Sequence, residues 1–429
     1  MRRIIIALLS VAAISLSARA QNNAVYTDLQ VMGRGEIRDG GLPNADDPSN
    51  DRSAFITSRS RIVLGYIRPE FEVKTSLQHS GVWGQGGTSS FNIHEAWIKL
   101  NAPFGLFTQI GRQALSYDDE RIIGPNDWNM VGNSHDVIRA GFEGYGHKFH
   151  VVGAFNQTPE NINGGGSYYA GGSSPYKTMQ LAWYHFDIPV VPVGLSLIFV
   201  NIGMQAGTPE DPRVEWQHVF GGYAKYAPEK LSVEASYYRQ MGKNEQGIRL
   251  DAWMASARAK YNPWNLIGFE AGYDYLSGDD TYAVPKPGNI GLVRHEVIKG
   301  FNPVYGSHHK FYGAMDFFYM STYVNGFSPG LQNAFAGVNV KPMSGMNIGL
   351  QYHYLAIATK LQNIGSTLGH EFELQASWSF IKDVTLSMGL SYMVGTKNMQ
   401  LLKRASADGR LFWTWISLSA TPRVLNYKW

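Results

Sequence analysis

The feature that most constrains this chain is an alternation of apolar and polar residues at every second position, repeated along most of its length. Clear runs begin at Met346, Phe372 and Val384. In the first, Met, Ile, Leu, Tyr and Tyr alternate with Asn, Gly, Gln and His. A period of two predicts β-strands with one apolar and one polar face. This pattern alone does not separate a membrane barrel from a soluble sandwich, because the apolar face of a sandwich packs on a second sheet.

The links between the strands decide between these two folds. They alternate between tight turns, such as Arg68-Pro69 and Tyr145, and longer segments, such as Asp39–Arg52 and Leu115–Asn133. Short turns at one end and long loops at the other are typical of an outer-membrane barrel, and an even strand count places both termini in the periplasm. We count about 18 strands by this pattern: 24–38, 53–66, 69–81, 91–102, 105–114, 134–144, 146–156, 177–188, 192–204, 214–226, 230–241, 248–261, 265–277, 330–341, 345–358, 368–380, 383–395 and 409–421.

Composition agrees with a barrel that faces lipid. Charged residues make up 17% of the chain, against about 25% in soluble domains, and aromatic residues make up 13%. A closed antiparallel sheet pairs every backbone polar group inside hydrocarbon. The predicted fold is therefore an all-β transmembrane antiparallel β-barrel of about 18 strands, wide enough for an aqueous lumen. The last residue, Trp429, is a terminal aromatic of the kind common in outer-membrane proteins, but the last strand of the pattern ends near Ala420, so the tail is not a clean fit.

The first residues have the layout of a secretory signal. Arg2 and Arg3 precede the apolar run Ile4–Leu16, and Ala18-Arg19-Ala20 fits a small-x-small cleavage site. We predict cleavage after Ala20, which leaves 21–429 as a single barrel domain in the outer membrane of a Gram-negative bacterium. The run is too short for an anchor helix. Because the chain has no cysteine, lipoprotein anchors, disulfides and cysteine-ligated metal sites are excluded. The net charge of +3 gives no reason to expect nucleic acid.

The polar faces of the first strands carry many basic residues. Alternation turns Arg59 and Arg61 inward on one strand, Lys74 on the next, and Glu95 with Lys99 on the fourth. A charge on the lipid face costs roughly 2–4 kcal/mol at the midplane, which favours the inward placement. The inner faces of the later strands are more mixed and acidic, with Glu234, Glu270, Asp274, Glu371 and Glu373. Two interpretations stay open: the charges pair across the lumen, or the arginines form a track for anionic, hydroxyl-rich solutes.

Two blocks of the chain resemble the alginate export family of outer-membrane porins. The first contains Gly111-Arg112-Gln113, Arg121, Asp127-Trp128 and Asp136-Val137-Ile138-Arg139. The second contains Phe301-Asn302-Pro303, Tyr305-Gly306, His309-Lys310-Phe311 and Gly313 with Asp316. The resemblance implies an 18-stranded barrel that conducts an anionic uronic-acid polysaccharide through an electropositive constriction.

The resemblance also assigns roles to residues. It places Arg112 and Arg139 at the constriction, with Arg59, Arg61 and Lys74 as neighbours. It implies that Asp127 and Asp136 hold the arginines in place or gate the path. The lumen of this chain is not uniformly basic, however, and this departure puts the identity of the solute, but not the fold, in doubt.

The long segment 278–329 is unusual for a barrel link, and a loop of this length usually has a role. We expect it either to fold into the barrel and narrow it or to cap the mouth. His308-His309 with Asp316 does not predict a metal site, because adjacent histidines point apart and no third ligand stands at a diagnostic spacing.

No enzyme is predicted. A nucleophile with its base is not apparent, and His79, His94 and His218 fall on the expected outer face. Two functions remain. The first is a passive channel for anionic, saccharide-like solutes, without a cofactor. The second is a plugged barrel that serves as a secretion or surface-assembly partner of other envelope proteins. In both, the barrel wall contacts outer-membrane lipid.

Overall fold

The computed structural model describes residues 23–39, 52–85, 90–157, 168–172, 174–279, 296–320, 323, 328–361, 364–403 and 410–429. The predicted signal peptide lies outside these residues. The strands are β1 Ala24–Asp39, β2 Ser53–Ile67, β3 Phe71–Val82, β4 Ser90–Asn101, β5 Leu106–Gln113, β6 His135–Gly144, β7 His147–Phe155, β8 Thr178–Asp187, β9 Val193–Gly207, β10 Pro212–Tyr226, β11 Leu231–Lys243, β12 Arg249–Tyr261, β13 Ile267–Leu276, β14 Val297–Ile298, β15 Leu331–Val340, β16 Met346–Ala356, β17 Thr367–Ile381, β18 Val384–Gly395, β19 Arg410–Ala420 and β20 Arg423–Lys428.

The sheet closes on its first strand. β1 pairs antiparallel with β2 on one side and with both β19 and β20 on the other. β19 and β20 together form one strand of the wall. The two-residue β14 pairs parallel with the first two residues of β12 and does not span the wall. The result is a closed antiparallel barrel of 18 strands, as the alternation predicts.

The tail after Ala420 belongs to the barrel, although the alternation traces the last strand only to about Ala420. Pro422 has no N–H to donate and interrupts the ladder, after which β20 continues beside the first half of β1. Asn23 and Trp429 exchange backbone hydrogen bonds of 3.2 and 3.1 Å. Apolar and polar residues do not alternate strictly in β20, so the pattern does not predict this strand.

Apolar side chains of neighbouring strands lie opposite one another on the outer face of the barrel. On β16 and β17, Leu350 pairs with Leu374 and Tyr352 with Phe372. Between them, Gln351 pairs with Glu373 on the inner face. Because side chains alternate along a strand, this register gives a continuous apolar outer band and a polar lumen.

Link lengths differ between the two ends of the barrel. At the end where Asn23 and Trp429 meet, tight turns such as Tyr145-Gly146 and Lys382-Asp383 join the strands. Tyr145 and Asp383 adopt positive φ angles of 56° and 64°, as two-residue hairpins often require. The long links lie at the other end. The helices are short: Phe317–Met320 and Lys397–Lys403 are both in long links. None in the described part of the chain is long and apolar enough to cross a membrane.

Candidate functional site: a lumen narrowed by two inserted segments

Two long links fold into the barrel and meet there. The backbone of the β5–β6 link, around Ile122–Gly124, pairs with Tyr305 in the β13–β15 link. Gly124 N donates to Tyr305 O over 3.0 Å, and Tyr305 N donates to Ile122 O over 3.0 Å. We call 114–134 and 296–320 the inserted segments. Of the two expectations for 278–329, folding into the barrel is the one that the structure shows for 296–320, whereas 280–295 lie outside the described residues.

Arg121 fastens the first inserted segment to the far wall. Its guanidinium donates to Asp274 over 2.6 Å and to the Ser256 hydroxyl over 2.8 Å. It also donates to the hydroxyl of Tyr312 in the second segment over 3.0 Å and forms an ion pair with Asp119 at 2.9 Å. The side chains of Arg121 and Asp274 are 2% and 1% exposed. A buried charge pair of this kind depends on complete hydrogen bonding, which these partners supply.

Two wall carboxylates hold the second inserted segment by its backbone. Ala314 N donates to Glu373 over 2.7 Å and Met315 N donates to Glu371 over 2.9 Å. His353 lies 3.2 Å from Glu373. Glu371 and Glu373, which the sequence places inside the lumen, are therefore anchors of the narrowing segment.

The predicted arginine arc is largely occupied by the first inserted segment. Arg59 donates to both carboxylate oxygens of Asp127 over 3.2 and 3.1 Å, and Arg61 donates to the same carboxylate over 3.1 Å. Arg61 also donates to Gln78 over 2.8 and 2.6 Å. The Arg59 side chain is only 2% exposed. The structure thus brings together three of the predicted site residues, with the two arginines largely buried and the Asp127 side chain about half exposed.

Arg112 and Asp136 do not join the arginine arc, and Arg112 instead lines a cavity of about 470 Å³ with His94, Tyr305 and His308. They form an ion pair at 2.6 Å on the face that also carries Ile110 and Ile138, whose side chains are exposed. His135, next to Asp136, faces inward, where its ring meets Tyr305. The alternation of β5 and β6 thus places both residues at outward positions of the strands, at their long-loop end, where Arg112 borders the cavity beside the inserted segments.

The remaining predicted residues face the lumen. Lys74 forms an ion pair with Glu95. Lys99 and Arg139 both lie over the Phe107 ring, at 4.9 and 5.5 Å from its centroid. Arg139 also donates to the Gln109 side chain over 2.5 Å.

His94 faces inward, so its expected place on the outer face was wrong. The β3–β4 register shifts between Ser76 and Leu77, which pair with Glu95 and Ile93. His94 is the extra residue of a β-bulge, which breaks the alternation locally. As a result both His94 and Glu95 are buried, and His94 lies 3.3 Å from the Ser134 hydroxyl.

A cavity of about 560 Å³ lies between the inserted segments and the inner faces of the later strands. Its cations are Lys225, Arg258, Lys260 and Lys310, and its acids are Asp118, Asp119, Glu120, Glu234, Glu270 and Glu373. Neutral polar side chains and rings complete the lining, including Asn333, Gln351, Gln375, Phe335 and Trp415. This part of the lumen lies opposite the arginine arc.

Comparison with known proteins identifies the class of barrel. The sequence matches the family model for Gram-negative porins over residues 7–355. The chain belongs to the Gram-negative porin family. It is an outer-membrane transport channel and not an enzyme. No curated protein matches the sequence.

Solved porin structures show the same fold at low sequence identity. Acinetobacter baumannii OccAB1 is 13% identical with a TM-score of 0.62, covering 94% of this chain and 97% of its own. Pseudomonas aeruginosa OccK5 (OpdH) is 10% identical with a TM-score of 0.60, covering 94% and 98%. Pseudomonas aeruginosa OccK2 (OpdF), in a structure in complex with glucuronate, is 10% identical with a TM-score of 0.60, covering 94% of this chain and 98% of its own. At these identities the likeness concerns the fold alone.

The sequence interpretation of this porin missed the basic residues of β10 and β12. On β12, Ser256, Arg258 and Lys260 alternate with alanines, the same signal that placed Arg59 and Arg61 inside. Arg258 and Lys260 pair across strands with Gly272 and Glu270.

The two adjacent histidines of the second segment have separate partners. His308 Nε2 lies 3.3 Å from Pro303 O, and His309 Nδ1 lies 2.7 Å from Asp316. Burial lowers the pKa of His308 to about 4, so this ring is neutral at pH 7. The His309 ring stacks on Trp128 at 4.1 Å, which ties the two inserted segments together. Within the described ranges, no group of three or more acidic or histidine side chains is placed to hold a metal.

Proposed function

We propose that this porin passes small hydroxylated anions, of the sugar-acid type, by passive diffusion through the cavity beside β10–β17. The main support for the proposal is the lining of this cavity, which combines four cationic side chains with amides and aromatic rings. Cations attract a carboxylate, amides exchange hydrogen bonds with hydroxyls, and rings cover the apolar face of a sugar. A uronate carries all three chemical features.

Acids also line the cavity, but each has a partner in the protein. Glu234 pairs with Lys225 at 3.0 Å, Glu270 with Lys260 at 3.1 Å, and Glu120 with Lys310. Asp119 pairs with Arg121, Asp118 accepts from Trp183 over 3.0 Å, and Glu373 accepts from Ala314 N. These contacts partly neutralise the acids as barriers to an anion.

The arginine arc has a different role in this proposal. Arg59, Arg61 and Asp127 hold the first inserted segment against the wall. Lys99 and Arg139 face the periplasmic half of the lumen, where they raise the local concentration of anions.

Two resemblances support the solute class. A structural neighbour, OccK2, was solved in complex with glucuronate. The resemblance to alginate export porins points to uronic acids as well, and transport of alginate itself stays a prediction.

The proposal is tested by uptake of labelled glucuronate and glucose into liposomes that contain the purified porin. We expect faster uptake of glucuronate, because glucose has nearly the same size but no carboxylate. Protein-free liposomes are the control. Equal or slower uptake of glucuronate would contradict anion preference, and uptake of neither solute would favour the plugged barrel.

A further inference from the structure

Arg258 lies near two aromatic rings on the inner face of β12. Its guanidinium carbon is 5.1 Å from the centroid of Phe335 and 5.8 Å from that of Phe311. Gly272, the cross-strand partner of Arg258, makes this possible, because a Cβ at this position would overlap the Phe335 ring.

The terminal nitrogens of Arg258 have no hydrogen-bond partner in the described part of the chain. Its closest acidic group is Glu270, with Nε 3.6 Å from the carboxylate, beyond hydrogen-bond range. Nε is enclosed and unpartnered, whereas the two terminal nitrogens are not among the enclosed atoms, and the residue lines the cavity. The terminal nitrogens therefore point toward the lumen.

Other inward arginines differ in this respect. Arg34, Arg59, Arg61, Arg121 and Arg139 all donate to protein oxygens through a terminal nitrogen. A guanidinium offers two parallel N–H groups that match the two oxygens of a carboxylate. An inward arginine whose two terminal nitrogens have no partner among the described residues can therefore bind the carboxylate of an external anion.

We propose that Arg258, assisted by Lys260, is the subsite that binds the carboxylate of the passing solute. The inference rests on the proposed function and names its recognition residue. Glu270 is shared by the two cations, at 3.6 and 3.1 Å, so the cluster keeps one excess positive charge. Tyr223 and Ser236 line a small adjoining cleft with Arg258, and their hydroxyls suit the hydroxyl groups of a sugar acid.

Apart from Glu270, the acidic residues next to the subsite form ion pairs with cations other than Arg258 and Lys260. Glu234 is held by Lys225, and Asp119 is held by Arg121. An arriving carboxylate therefore meets the free edge of Arg258 beside acids that already have counter-ions.

The test is block of single-channel current by sodium glucuronate in planar bilayers, with wild-type protein and three variants. We expect saturable block in the wild type. We expect Arg258→Gln to weaken the apparent affinity about tenfold or more, because charge-assisted hydrogen bonds are lost. Arg258→Lys keeps the charge but not the two parallel N–H groups, so its apparent affinity for glucuronate should lie between those of the wild type and Arg258→Gln. Arg239→Gln is the matched control, because Arg239 lies on the outer face of the adjacent strand with Asp251.

A gain-of-affinity variant keeps the test valid if Arg258→Gln folds poorly. Glu270→Gln removes the acid that competes for the two cations, so block by glucuronate should become stronger. Unchanged block in both Arg258→Gln and Glu270→Gln would overturn the subsite. If the wild type takes up glucuronate preferentially but both variants are blocked by glucuronate as the wild type is, the subsite assignment is wrong and the proposed function stands. If the wild type shows no preference, the proposed function itself fails.

Discussion

At the scale of single residues, Asp127 shares its carboxylate between Arg59 and Arg61 of the arginine arc. Asp127→Asn removes one negative charge from the lumen and leaves these two arginines without their shared carboxylate. We expect a modest increase in the anion-to-cation permeability ratio, measured as the zero-current potential in a KCl gradient.

Asp251→Asn is the matched control for this substitution. It also breaks an arginine–aspartate pair, but on the outer face of β11 and β12. It should leave the zero-current potential unchanged. Equal potentials for Asp127→Asn and wild type would contradict a lumenal role for Asp127.

Strand alternation predicts the positions of single side chains in this porin more reliably than motif resemblance does. Alternation put Arg59, Arg61, Lys74 and Lys99 inside the barrel, and the structure places them there. Arg112 was assigned to the constriction by resemblance, although Leu106, Thr108 and Ile110 on its own strand indicate an outward position. A bulge at His94 could not be predicted, because one extra residue in a ladder leaves no clear trace in composition.

At the scale of elements, the strands were predictable and the inserted segments were not. A strand is specified by its own residues and its neighbours through a period of two. The path of 296–320 is instead specified by contacts such as Arg121 with Tyr312, separated by 191 positions, and Met315 with Glu371, separated by 56. The sequence showed that a long loop exists and that Glu371 and Glu373 face inward, but not that they bind its backbone.

The anchoring of the inserted segments can be tested at Asp274. Asp274→Asn leaves Arg121 with Asp119 as its remaining acidic partner, and the loss of a buried partner costs about 3–5 kcal/mol. We expect the segments to loosen, so that single-channel recordings show a higher mean conductance and more open-channel noise.

Asp251→Asn serves as the control for the anchoring experiment. Asp251 lies on neighbouring β12 and pairs with Arg239 on the outer face. Its recordings should match the wild type. Recordings of Asp274→Asn that also match the wild type would show that the Arg121–Asp274 pair does not hold the segments.

At the scale of the whole molecule, the barrel follows from the requirement that backbone groups in hydrocarbon pair with each other. Alternation, link lengths and the even strand count were sufficient to predict 18 strands with both termini at the short-turn end. They did not predict which side of the lumen stays open. That depends on where the inserted segments pack: against the β1–β4 arc, leaving the cavity beside β10–β17.

The position of the open path is the central claim, and the absence of cysteine from the chain makes it directly measurable. Two single-cysteine variants are compared: Gln375→Cys, at an exposed position that lines the cavity, and Ser76→Cys, at a fully enclosed position on the inner face of β3. Each is treated with an anionic, membrane-impermeant methanethiosulfonate during single-channel recording. We predict rapid modification and a drop in conductance for Gln375→Cys, and an unchanged current for Ser76→Cys. Rapid block of Ser76→Cys with no effect on Gln375→Cys would place the path along the arginine arc and contradict the account.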